Sequence, residues 1–380
     1  MGGVVSVERI DIDLATAGVS GNADTSLGQV IAKCVPFSTF NKVGITDNAD
    51  ADSFDRSCID VQIVDNGGTA NVQIDRAVAF SVAGTIESRT YVVEFDSDIN
   101  VQSGTFTAGT AETITAVDQT KAFIVAYWEK STAGDVDAHG EAQVRAYFAS
   151  DTSINFDRGI TGGACTGHYF VIEDTASNWD VQAFECIFGA TDASITDTIT
   201  SIDTAKTFLS AFVECAQADD DGETGIFEVQ LTSGTVVTAD RFTGTGGSVG
   251  TVSGFAVTFD SGGDENVYRG RFAFAANDAQ EVASHAAIDP DFSIAGTPIK
   301  VQANAPPNTG TTASSDNGGI LVTVILNATD DGVVGDRATH GAHANNCPWE
   351  TIEWAASAAA AEPLSAYTPN EQRSVRSRYL

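Results

Sequence analysis

The chain of 380 residues has room for two to four domains and carries a formal net charge of −33, with 52 acidic against 19 basic side chains. Such a surface repels nucleic acid and anionic membranes at range, which argues against a phosphate-tracking role. It suits a protein kept hydrated in saline water, where self-repulsion is screened within about 8 Å or less. The densest apolar run, 320–326, falls far short of the roughly 18–20 residues that a membrane-spanning helix needs.

In chain order, residues 1–23 read as a short N-terminal arm, in which Ile10, Ile12 and Leu14 alternate with polar residues like an edge strand. The arm lacks the basic start and apolar core of a secretory signal, so an extracellular role would need another route, such as release inside an assembled particle. Three β-modules are expected next, at 24–115, 116–200 and 201–283. Their strand signals are short runs rich in β-branched and aromatic residues at 29–35, 61–64, 122–128, 143–148 and 227–231, separated by clusters of turn-forming residues. Alternation at 181–188 and 268–274 suits sheets with one buried and one wet face. Residues 284–380 form a C-terminal region. It reads as a loop to Gly319, an apolar strand to Leu326 buried on both faces, a short helix from Trp349 to Ala361 stopped by Pro363, and a basic tail. The fold class that follows is all-β: a tandem array of three antiparallel β-sandwich-like modules, with a short N-terminal arm and a mixed C-terminal segment.

Internal repetition supports the array. Asp75-Arg76, Asp157-Arg158 and Asp240-Arg241 recur 82 and 83 residues apart (76→158→241). Each pair is followed by a related strand: Tyr91-Val-Val-Glu-Phe-Asp96, Tyr169-Phe-Val-Ile-Glu-Asp174 and Phe255-Ala-Val-Thr-Phe-Asp260. The run Lys121-Ala-Phe-Ile-Val-Ala-Tyr-Trp128 returns as Lys206-Thr-Phe-Leu-Ser-Ala-Phe-Val213. A triplicated carboxylate or Asp-Arg pair points to a requirement of the fold, since active sites are seldom triplicated. Neighbours on a strand point to opposite faces, so each member of the pair is expected to find its own partner across strands.

The candidate chemistry is sparse. Gly246-Gly-Ser248-Val-Gly250 has the spacing of a nucleophile elbow but lies in a turn between two strands, and so reads as a hairpin loop. His340, His343 and Cys347, with Asp336 as a fourth ligand, could fold around a transition metal; the alternative is a polar surface loop. Asp219, Asp221 and Glu223, and the acidic stretch 47–52, have the oxygen donors for weak structural Ca²⁺, and otherwise read as solvated loop tips. The six cysteines form no C-x-x-C pair. They read as small buried residues, with Cys34–Cys58 and Cys165–Cys186 as possible bridges. Arg373, Arg376 and Arg378 make the last segment basic, suited to docking on a carboxylate-rich neighbour during assembly. No cofactor and no catalytic set emerge.

The strand pattern quoted above, over about residues 24–275, resembles repeats in β-rich structural proteins of tailed, environmental bacteriophages. The resemblance implies a non-enzymatic virion protein: a capsid decoration, fibre or tail component, made in the host cytoplasm and assembling with copies of itself and other virion proteins. It brings no functional residues with it. The alternatives are a receptor- or carbohydrate-binding adhesin, with Trp128 and Trp179 as aromatic platforms for a host surface glycan, or a polysaccharide-degrading tail enzyme. Nucleic acid and membrane are not expected partners.

Overall fold

Apolar runs too short for helices must pair with one another, and the pairing observed is strongly periodic. The computed structural model describes residues 3–15, 17–25, 30–43, 58–78, 84–131, 139–216, 225–241, 248–275, 278–297, 322–337 and 345–355. Among these, the strands fall into four units of six. The first holds β1 (Val4–Leu14), β2 (Ser20–Asp24), β3 (Cys34–Val43), β4 (Asp60–Asn66), β5 (Thr69–Asp75) and β6 (Thr85–Phe95). The second holds β7 (Ile99–Thr107), β8 (Ala111–Thr113), β9 (Ala122–Lys130), β10 (Arg145–Ser150), β11 (Ser153–Asp157) and β12 (Cys165–Asp174). The third holds β13 (Trp179–Phe188), β14 (Ser194–Thr198), β15 (Thr207–Cys215), β16 (Glu228–Ser233), β17 (Val236–Asp240) and β18 (Gly250–Phe259). The fourth holds β19 (Asn266–Phe274), β20 (Gln280–Ser284), β21 (Ser293–Gly296), β22 (Val322–Leu326), β23 (Gly332–Arg337) and β24 (Asn345–Glu353).

In every unit the sixth strand lies between the first and third, and the fifth lies between the second and fourth, giving two three-stranded antiparallel sheets. The expected all-β, multi-module architecture is therefore present. In the third unit the two sheets enclose a core of their own, as in a small sandwich.

Hydrogen bonding sets the phase of the repeat. The segment expected as an arm is the first strand of the first unit, paired from Val4↔Phe95 to Leu14↔Ile86. A fourth unit follows where the repeat was expected to stop. The expected helix over 349–361 is strand as far as Glu353, paired with β19 along its length. Cross-strand pairing of Trp349, Thr351 and Ile352 outweighs the helix preference of the Ala-rich residues that follow them; residues 356–361 lie outside the described part.

The third unit displays the logic of the core. Phe184, Leu209, Val213, Val229, Val237 and Val252 pack between its two sheets. The alternate residues Phe208, Phe212, Phe255, Val257 and Phe259 point the other way, into a larger cluster shared with the other units. Strands such as β9 and β15 are therefore buried on both faces, which is why they read as continuous apolar runs. Phe95, Trp179, Phe259 and Trp354 meet edge-to-face, with ring centroids 5.2–6.4 Å apart, where units converge.

The recurring Asp-Arg pair ends the fifth strand. Arg76 donates from Nε to Gly18 O and from Nη2 to Ala15 O. Arg241 donates to the carbonyls of Asp192, Ser248 and Gly189. Arg337, in the fourth unit, donates to Asp278 O and Ala275 O. Each guanidinium thus satisfies carbonyls of the turn between the first and second strands, which would otherwise be left unpaired in a buried corner. In the second unit that turn is short, and Arg158 instead reaches Glu141 O, Gly162 O and Gly163 O. The preceding aspartates take their own cross-strand partners, as Asp75 does from Gln62 Nε2 at 3.1 Å and Asp336 from Gln280 Nε2 at 2.6 Å.

Candidate functional site: the seams between units

The fourth strand of each unit packs on the first sheet of the next, and the fourth unit packs back on the first. The residue opposite the repeated aspartate on that strand is the contact point. Asp60 lies opposite Asp75, Arg145 opposite Asp157, Glu228 opposite Asp240 and Thr323 opposite Asp336.

At the first seam, the Asp60 carboxylate accepts from the His168 backbone N–H at 3.0 Å and binds His168 Nδ1 at 2.6 Å. Tyr127 reinforces it, its hydroxyl accepting from Ser38 N–H at 2.7 Å and donating to Pro36 O at 3.3 Å. At the second seam, Arg145 reaches Glu185 at 2.6 Å and Glu214 at 3.1 Å while lying 4.4 Å over the Tyr147 ring. At the third, Glu228 pairs with Arg271, and the Glu350 carboxylate accepts from Leu209 N–H at 2.9 Å. At the fourth, Val324 N–H donates to Thr39 Oγ1 at 3.0 Å and Leu326 N–H to Tyr91 Oη at 2.9 Å. The polarity alternates from seam to seam: an acid meets histidine, then arginine meets acids, then an acid meets arginine. A unit displaced by one place would set Asp60 against Glu185 and Glu214, or Arg145 against Arg271.

Two seams are open enough to form clefts. That between the first and second units has a volume of about 680 Å³ and is walled by Asp60, Asp75, Glu112, Glu129, Thr166 and His168. Burial pushes the Asp60 carboxyl above its ordinary range, while His168 pulls it back and Asp75 adds to the rise. Burial likewise raises Glu129, with Asp60 and Asp75 adding to it. A carboxylate orienting an imidazole is two-thirds of a hydrolytic triad. Among the described residues, however, His168 Nε2 has no hydroxyl or thiol within hydrogen-bond reach. The pair fastens two units. The second cleft, of about 540 Å³, lies between the fourth and first units, with Val7, Tyr91, Leu326 and Val334 as an apolar floor and Asp330 and Asp336 at its edge.

The residues expected to carry chemistry are distributed otherwise. Cys347 is fully buried in β24, its thiol against Pro348 O and shifted up by burial, the opposite of what a metal ligand requires. His340, His343, Asp219, Asp221, Glu223, Arg373, Arg376 and Arg378 lie outside the described residues, as does the stretch 47–52. Among the described residues, no group of three or more His, Cys, Asp or Glu side chains is placed to hold a metal ion, and no helix is long and apolar enough to cross a membrane. All six cysteines are free and buried. The carbonyl of Ser248 is taken by Arg241, and its loop joins two strands. Trp128 and Trp179 are 0% and 2% exposed, their indole N–H groups donating to Ala142 O and Lys121 O. Neither presents a face for a sugar.

Sequence reasoning missed the seam residues, because their partners are remote: Asp60 and His168 stand 108 positions apart. The available signal was positional, a charged residue opening the fourth strand of three successive units. No family model matches the chain, and no curated protein is significantly similar to it.

Proposed function

We propose that the chain is a non-enzymatic structural protein of a phage particle, a capsid decoration, fibre or tail component that works by assembly. The observation that carries this reading is the packing of four copies of one β-unit head to tail, each fourth strand on the next first sheet and the last unit back on the first. The side chains that would otherwise suggest chemistry, Asp60 with His168, Arg145 with Glu185 and Glu214, and Glu228 with Arg271, are spent joining units. A rigid, strongly acidic body of this kind suits a repeated surface element, kept soluble by its charge until it is placed among copies of itself and other virion proteins.

The test is the mass of the purified protein in solution, measured by light scattering at low and high salt, with and without Ca²⁺. The expected result is a defined oligomer or a growing polymer, favoured by salt that screens the charge. A monomer under every condition, with no binding to assembled particles, would count against it.

A further inference from the structure

The second strand of each unit lies at the outer edge of its sheet, paired with the fifth strand alone. In the fourth unit that strand is β20. Arg337 N–H donates to Ala279 O and His285 N–H to Asp331 O, one at each end of its pairing with β23. The alternation of an antiparallel ladder then turns the backbone groups of Glu281 and Ala283 toward β23, and those of Gln280, Val282 and Ser284 outward. Among the described residues, no strand pairs with that outward edge.

The side chains across this sheet set the fourth unit apart. Two residues before each repeated aspartate, the fifth strand carries Gln73, Asn155 and Thr238 in the first three units, facing Asn22, Ala111 and Thr196 on the second strand. In the fourth unit the same rung is Val282, Val334 and Ile325, aliphatic across all three strands. Its inner end meets the cleft at the fourth seam, where Val7 and Arg9 line the far wall. Its outer end is open, with Val282 59% exposed. A free row of backbone donors and acceptors beside an exposed aliphatic side chain is the feature through which edge strands associate.

We infer that β20 pairs with β20 of a second copy of this chain, antiparallel about Val282, to make a dimer with one continuous six-stranded sheet. The strand is complementary to itself. Crossing at Val282 sets Gln280 against Ser284 and Glu281 against Ala283, so no carboxylate directly opposes another. The outward residues of the two copies exchange about six backbone hydrogen bonds, and the two aliphatic rungs run together as one strip. An unrelated partner would have to bring a matching edge, whereas a second copy brings it by twofold symmetry. The net charge of −33 opposes the approach of two such bodies, so salt strengthens the pairing. The inference rests on the reading of the chain as a self-assembling protein, and the experiment separates the two.

The test is the mass of the full-length chain by light scattering at low and high salt. The expected mass is twice the 39.5 kDa of one chain, favoured at high salt. Val282→Glu, which sets two carboxylates opposite each other at the crossing, should return it to that of one chain with an unchanged Tm, since the side chain is exposed. Thr196→Glu, at the same place in the third unit, should leave the dimer intact. A Val282→Cys variant should cross-link to itself on mild oxidation, because facing Cα atoms in such a pair lie about 5.5 Å apart. Undiminished association of the Val282→Glu chain would overturn the inference and leave the assembly reading standing on another surface. A monomeric wild-type chain at every salt, with no cross-link through position 282, would overturn it as well. If that monomer bound assembled particles and Val282→Glu abolished the binding, the edge would belong to a different protein and assembly would still hold.

Discussion

The ring of Tyr169 lies against Gly104, its directly paired neighbour across β7 and β12, so closely that a Cβ at position 104 would fall 2.6 Å from the Tyr169 hydroxyl. The same relation recurs in the fourth unit, where a Cβ on Gly270 would lie 2.6 Å from the Trp349 ring. In the third unit Ala183 faces Phe255. In these three units a small residue on the first strand makes room for an aromatic on the sixth, whereas in the first unit Arg9 faces Tyr91. Gly104→Val should displace a buried tyrosine ring and cost about 1–3 kcal/mol, read as a lower urea midpoint with an unchanged slope.

The corner arginines should be among the least replaceable side chains. Arg241→Met keeps much of the apolar stem but abandons the carbonyls of Gly189, Asp192 and Ser248. A loss of about 3 kcal/mol is expected in chemical denaturation. Arg241→Lys should recover only part of it, since a single ammonium cannot span three carbonyls in the same fork.

Tyr127→Phe tests a seam without disturbing packing. The variant deletes the hydroxyl that accepts from Ser38 N–H and leaves that buried donor unpaired. The expected cost is about 1–2 kcal/mol, with faster hydrogen exchange at Ser38 and no change at Val324 across the fourth seam.

Mild acid should stabilise this protein. Burial, opposed by Arg271, pushes Glu228 up to about 7 from an ordinary 4.5. The folded state therefore holds that proton more tightly than the unfolded chain does. Between the two values stability is gained as pH falls and lost as pH rises through 7. Asp60, Glu87, Glu129, Glu214 and Glu265 are shifted in the same direction, burial first in each case. Thermal unfolding should give a higher Tm near about pH 5.5 than near about pH 8. Glu228→Gln should flatten part of that slope, worth at most about 3 kcal/mol, and stabilise the protein at the alkaline end.

Strand content is legible in the sequence because burial writes it there: the run 122–128 is apolar throughout since β9 is covered on both faces. The functional weight of Arg76, Arg158 and Arg241 is legible as recurrence, though not their task, which depends on carbonyls up to 61 positions away. The phase of the repeat is hidden because β1 pairs with a strand at the far end of its unit, Val4 against Phe95. The fourth unit is disguised twice. Its Arg337 follows Arg241 by 96 residues (241→337) where earlier intervals are 82 and 83, and its third strand, Ser293–Gly296, is cut to four residues. The seams are the least legible feature, since a histidine and an aspartate on different units carry no local signature.

The closeness of Gly3 to Ala355, where a Cβ on the glycine would lie 3.1 Å from the carbonyl oxygen, has a consequence for the order of the chain itself. Because the last unit docks on the first by the same surfaces that join the others, no unit is intrinsically the beginning. A gene recut within 175–178, with residues 355 and 3 joined by a short spacer, would encode a chain that retains every interface between the described strands of the four units. Its folding would show that the starting point of the polypeptide is an accident of reading, while the cyclic order of the units is what the side chains specify.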